Sequence, residues 1–362
     1  MPPREDFDNS KIIYYVLIAI VLIAFIALNY YNFRKHVSSN SQTINQYTKP
    51  KEHIERKPAV AGLFYSEDKV KLDKEVNHYL SVDFQNSEHQ PQMLIVPHAG
   101  YEYSAATAAK AYAQLQKYAN KIKRVVLVGP SHKVVFDGIA TSGNDSFVTP
   151  LGRVPVNKTM VKNVTKNGDI IIFEGAHARE HSIEVQLPFL QKVLKKFSIL
   201  PLVYSNVTPE ELAEELKPFL GRQDTVIVFS ADLSHYLDYD TAQKVDNHTA
   251  NMIAKKNADI SYDMSCGATG INAALILAKR NSLHPELLDL RNSGDAKGGK
   301  TQVVGYGSWM FTSGENTEVE EELTPIEQEE KNIKDFISLH KKEIIDIARK
   351  SLEEAVLHDS SY

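Results

Sequence analysis

The chain opens on a long unbroken apolar stretch, alternates short apolar runs with helical periods through its middle, and closes on a charged run followed by an amphipathic segment. Four runs, at 93–96, 125–128, 199–203 and 226–229, have the length and continuity of buried strands. Helical periods lie between them near 105–118, 182–196, 209–216, 240–254 and 269–280. Thr208 ahead of Pro209 is a helix-start signal. This alternation predicts an α/β fold, a mostly parallel sheet with helices on both faces, in one domain over residues 56–313. Two late segments, 287–292 and 302–312, read as closing or antiparallel strands.

The ends differ in kind. After a polar segment over residues 1–11, residues 12–33 carry no charged side chain. At about 1.5 Å per residue a helix here reaches roughly 33 Å, enough to cross a bilayer core. Tyr14, Tyr15, Tyr30 and Tyr31 sit at its two ends, where an aromatic belt belongs. A cleaved signal peptide would have a shorter apolar core and a small-residue cleavage site, so the expectation is an uncleaved single-span anchor. Arg34, Lys35, Lys49 and Lys51 follow the span while Arg4 and Lys11 precede it, which places the following side in the cytoplasm. Residues 34–55 are a polar tether. Residues 314–330 are an acidic linker; without its eight glutamates the formal net charge of −5 becomes +3. Residues 331–358 carry an apolar stripe at helical spacing, including Ile333, Phe336, Ile337, Ile344 and Ile345.

Composition narrows the function classes. With 362 residues, 43% hydrophobic and 24% charged, the chain is globular. The net charge argues against a nucleic-acid binder. One cysteine excludes an internal disulfide framework and a cysteine-only zinc site. Thirteen histidines exceed what packing needs, and their positions matter.

In open α/β sheets ligands bind beyond the carboxyl ends of the strands. There the sequence reads Pro97-His98-Ala99-Gly100-Tyr101, then Gly129-Pro130-Ser131-His132, then Ser230-Ala231-Asp232-Leu233-Ser234-His235. Three strand ends each deliver a histidine. Cys266 lies just before a helical period; a helix start would lower its thiol pKa, and Gly267 beside it allows close backbone approach. His98, His132 and Cys266 therefore suit a three-ligand metal face. The competing reading makes Cys266 buried filler. Asp232 and His235 share a loop and could orient or charge an imidazole beside a metal-bound substrate; an N-cap and a surface histidine are the plainer account. His177-Ala178-Arg179-Glu180-His181 matches the H-x-x-E-H pattern of some zinc peptidases, but its residues are expected in a loop entering the next helix, with His181 and Glu184 at the mouth of the site. No dinucleotide or P-loop fingerprint and no G-x-S-x-G elbow is present.

Taken in order, these segments, with Glu180-His181-Ser182-Ile183-Glu184, the opening stretch from Arg56 to Tyr65 and the closing Val304-Gly305-Tyr306-Gly307-Ser308, resemble the Memo family, whose prokaryotic members are called AmmeMemoRadiSam system protein B. The resemblance covers about residues 56–312. It implies a fold related to class III extradiol dioxygenases and metal ligands at His98, His132 and Cys266, with thiolate where those enzymes use a carboxylate. Asp232, His235 and His181 become the supporting or acid–base residues. Iron(II) is the expected cofactor and copper the rival. A histidine that follows in familiar relatives is Lys133 here. The family's name implies a radical-SAM protein and a protein A as partners. The helix at 342–355 is similar to the first helix of protein A. Dioxygenase-like or redox activity on a small molecule or peptide stands against a non-catalytic metal- or peptide-binding partner role; a zinc hydrolase using His177 is a distant third.

Overall fold

The computed structural model describes residues 27–32, 53–81, 87–297 and 299–314. The expected anchor falls mostly outside them; its residues 27–32 are helical. Among the described residues no helix is long and apolar enough to cross a membrane. The acidic linker and the amphipathic segment also lie outside the described residues.

Twelve strands form among the described residues, in two sheets. The small one joins β1 (Glu55–Arg56), β5 (Ser146–Thr149) and β6 (Gly152–Pro155). The large one is built on β2 (Met93–Val96), β9 (Thr225–Ser230), β3 (Arg124–Pro130) and β8 (Ser198–Tyr204), four adjacent parallel strands. β2 and β9 are buried throughout, which is why their sequences run apolar without alternation.

The sheet as a whole is mixed rather than mostly parallel. β12 (Val303–Thr312) runs antiparallel to β2, and β11 (His284–Asn292) and β10 (His235–Leu237) run antiparallel to β12. β4 (Ile139–Thr141) is antiparallel to β8 and carries β7 (Ile170–Ile172) parallel to itself. Apolar continuity reports burial and says nothing of direction, so a buried antiparallel strand such as β12 reads like its parallel neighbours.

Helices cover the sheet in two groups. α1 (Lys69–Leu80), α2 (Tyr101–Ala113) and α5 (Leu187–Val193) pack on one another. α6 (Pro209–Leu216) packs on α8 (Ala268–Arg280), which lies on β9 and β3. α7 (Tyr239–Ala254) packs on β11 and β12. The short α3 (Lys158–Val164) and α4 (Glu174–Ala178) flank β7 in sequence. α6 begins where its sequence says: Thr208 and Glu211 close a capping box and Pro209 fills the first turn.

Candidate metal centre

β2, β9 and β3 are neighbours, and each ends two residues short of a polar side chain: His98, Asp232 and His132. Cys266 reaches the same place from the loop before α8. That loop lies so close to β9 that a Cβ on Gly267 would stand 2.3 Å from the Ala231 Cβ, so only glycine fits. His98, His132 and Cys266 then each offer a donor atom, all within 4.8 Å of one another, a group that could hold a metal ion. Cys266 Sγ is 3.3 Å from His98 Nε2. His98 is buried, Cys266 half-buried and His132 exposed along one edge, so the group is open to solvent.

The hydrogen bonds fix which imidazole nitrogen faces inward. The Ser230 hydroxyl donates its single proton to the Ser182 carbonyl at 2.7 Å and accepts from Gln186 Nε2 at 3.0 Å. Its remaining lone pair faces His98 Nδ1 at 2.8 Å, so Nδ1 carries the hydrogen and Nε2 is the free donor. Glu180 Oε1 lies 3.0 Å from His132 Nδ1, and a carboxylate only accepts; His132 likewise presents Nε2. His235 Nδ1 donates to the Leu233 carbonyl at 2.8 Å. The site's histidines are thereby held in the tautomer that metal ligation through Nε2 requires.

Burial pushes the His98 pKa well below its ordinary value, helped by the neighbouring His132 and His181, so His98 stays neutral. Burial and the nearby Asp232 carboxyl push the Cys266 thiol up. This corrects the expected lowering: Cys266 sits ahead of α8, mostly covered by its neighbours, and desolvation outweighs any helix-terminus effect. Asp232 is itself raised, first by burial. Its Oδ1 accepts the His98 backbone N–H at 2.7 Å, and its Oδ2 is 3.9 Å from His98 Nε2.

His181 joins the cluster: its ring centroid is 4.6 Å from that of His132 and 5.3 Å from that of His98. Glu184 does not reach the mouth. It is fully buried, ion-paired to Arg56 and accepting from Tyr65 Oη and the backbone N–H groups of Ala59 and Val60. His177 lies on α4, not in a loop, and its Nε2 faces the Ala140 carbonyl at 3.2 Å; it is not in the metal group. His132, Glu180 and His181 also bring ligand-type atoms within 4.8 Å. There Glu180 Oε1 already accepts from the N–H groups of His181 and Ser182 and from His132 Nδ1, and Oε2 from the His132 N–H, so the carboxylate is committed to holding these residues. Ser230, Gln186 and the supporting role of Glu180 were not legible in sequence, because their partners arrive from other strands.

A cavity of about 1040 Å³ opens beside the cluster, with Cys266, His235, Tyr236 and Tyr262 on its wall. Tyr236 holds a positive φ of 58°, a strained conformation for a bulky residue next to the site.

An α/β sheet presenting two imidazoles and a thiol at its carboxyl edge defines a candidate mononuclear metalloprotein class. The chain belongs to the Memo-like protein family, whose family model matches residues 56–310. It is 36% identical over 287 residues to a MEMO1 family protein of Metallosphaera sedula, covering 72% of this chain and 100% of that one. A MEMO1 family protein of Aquifex aeolicus is 35% identical over 273 residues, 71% of this chain and 98% of its own. One from Sulfolobus acidocaldarius is 36% identical over 284 residues, 71% and 99%.

Proposed function

We propose that this Memo-family chain is a membrane-anchored metalloprotein that binds one transition-metal ion through His98 Nε2, His132 Nε2 and Cys266 Sγ. The observation that carries the reading is the tautomer lock: Ser230 and Glu180 each accept an Nδ1 hydrogen, leaving two Nε2 lone pairs beside one thiol. Two imidazoles and a thiolate suit iron(II), with copper as the rival. An ion bound there would supply Lewis acidity and one-electron chemistry. Around it, Asp232 orients His98 through its backbone N–H, while His235 and His181 are the acid–base groups at the open edge. The activity is redox or dioxygenase-like, on a small molecule or peptide entering the cavity beside Cys266. The solvent-open cavity and its exposed tyrosines also favour a second reading, a non-catalytic metal- or peptide-binding partner of a radical-SAM protein and protein A. The apolar stretch at residues 12–33 serves as the single-span anchor, with the domain on the cytoplasmic side.

The test is the metal content of the full-length chain, recovered from membranes without oxygen, beside Cys266→Ala and His132→Ala. Near-stoichiometric iron or copper, lost in both variants, is expected. No metal in any of the three after anaerobic loading would overturn the metal reading, and recovery in the soluble fraction would remove the anchor.

A further inference from the structure

One buried carboxylate stands behind the exposed edge of the donor group. Glu180 is 1% exposed. Its Oε2 accepts the His132 backbone N–H at 2.6 Å, and its Oε1 accepts the N–H groups of His181 and Ser182, each at 2.9 Å. The same Oε1 takes the His132 Nδ1 hydrogen at 3.0 Å. His181 Nδ1 is 3.2 Å from it, off the hydrogen-bond line, so that ring feels the charge without spending its hydrogen there. With four N–H groups donating to it and only acceptor atoms to offer them, the buried group is held as a carboxylate ion. Arg56 Nη2 donates to the Glu180 carbonyl at 2.7 Å and Arg56 Nε to the His177 carbonyl at 3.0 Å, which fixes the segment that bears it.

We infer that Glu180 is a specificity-determining residue: a fixed negative charge, one imidazole away from the bound ion, that makes the site prefer a divalent over a monovalent cation. The inference rests on the metal reading above and adds which ion the site selects. The physics is charge scaling. A fixed charge at a given distance stabilises a 2+ ion twice as strongly as a 1+ ion, and Glu180, itself buried and one imidazole from the ion, lies within a Debye length of it, so salt does not screen the difference away. The thiol and the two imidazoles alone would suit monovalent copper well, because thiolate is a soft ligand. Glu180 tips the balance toward iron(II) and other divalent ions. Its hydrogen bond also raises the basicity of His132, again to the benefit of the more highly charged ion. Asp232 and His235 face the same cluster and are unchanged by a substitution at Glu180, and Glu180→Asp separates the charge from the hydrogen bonds that Glu180→Gln also disturbs.

The experiment compares full-length wild type, Glu180→Gln and Glu180→Asp. Each is titrated anaerobically with zinc(II) and iron(II), and separately with copper(I), against chromophoric chelators. In Glu180→Gln the divalent affinities are expected to fall about 10- to 100-fold, the range for lost support of a metal-bound histidine. Copper(I) affinity is expected to fall only by about the square root of that factor, since its charge is half as large. Glu180→Asp keeps the charge and is expected to keep the divalent preference, even where its shorter side chain weakens all binding. Equal loss of both kinds of ion in Glu180→Gln, or a lost preference in Glu180→Asp, would overturn the inference by reducing Glu180 to a structural prop. Wild type that takes up none of the three ions would instead sink the metal reading itself. Should Glu180→Gln fail to fold, the ratio of divalent to copper(I) affinity in Glu180→Asp decides alone: unchanged supports the inference, collapsed overturns it.

Discussion

At the scale of single residues, the free donor group carries little charge and at least one proton that a cation must displace. The Cys266 thiol is raised by burial, so throughout the neutral range it enters binding protonated. His98 is pushed well below its ordinary pKa by burial and so brings no proton to lose. Ligation needs the thiolate, and uptake should therefore release one proton from Cys266. Below the raised thiol pKa the apparent affinity should rise about tenfold per pH unit, because each bound ion displaces one proton. Zinc(II) competition titrations of the wild-type chain between about pH 6.5 and 8 would read this slope; a flat profile would mean that the thiol is not the group that loses the proton. A slope near two would mean that an imidazole ligand, as well as the thiol, enters binding protonated. Cys266 could be singled out in the sequence as a candidate ligand, because it precedes a helical period with Gly267 beside it. The sign of its pKa shift could not be read there, because desolvation depends on what α8 and β9 press against it.

At the scale of elements, the two-residue β1 matters more than its length suggests. Arg56 on it is buried, ion-paired to Glu184, and bonded to the carbonyls of His177 and Glu180. Those bonds tie β1 to the segment between α4 and α5, which carries both Glu180 and His181. Arg56→Ala leaves the Glu184 carboxylate buried without its counter-charge. The expected cost is about 3–5 kcal/mol, the usual range for breaking a buried pair on one side. Denaturant unfolding of Arg56→Ala beside Arg56→Ala with Glu184→Gln should show the double variant as the more stable of the two, because glutamine removes the unpaired charge and keeps an acceptor for Tyr65 Oη and the Ala59 and Val60 N–H groups. If Arg56→Ala unfolds within about 1 kcal/mol of wild type, water reaches the pair and it is not an isolated buried charge. The sequence announced the long elements and missed such short ones. The core strands and α6 followed from apolar runs and from Thr208 ahead of Pro209. β4 and β7, three residues each, are shorter than any reliable period. α1 offered a real signal, Asp68 as N-cap and Leu72, Val76 and Leu80 at helical spacing, diluted by its many charged neighbours.

At the scale of the whole molecule, the sheet separates the candidate site from the point where the described chain ends. The site lies beyond the carboxyl ends of β2, β3 and β9. β12 runs the other way, with Phe311 opposite Met93 and Gln92 Nε2 donating to Ser313 Oγ at 3.1 Å. The chain therefore leaves the domain beside Gln92, while His98 sits at the far end of the same strand. At about 3.3 Å per residue these positions are roughly 20 Å apart. That exceeds two Debye lengths of about 8 Å at physiological salt, so Gly314, to which the run of eight glutamates is joined, is electrically remote from the donor group. A chain ending at Gly314 should bind zinc(II) within about twofold of the full-length affinity and show the same dependence on pH. A tenfold change would mean that the acidic segment crosses the sheet to reach the site, and the charge Glu180 supplies would no longer be the nearest one that selects the ion. The choice of ion would then depend on the C-terminal segment as well as on the residues around His132.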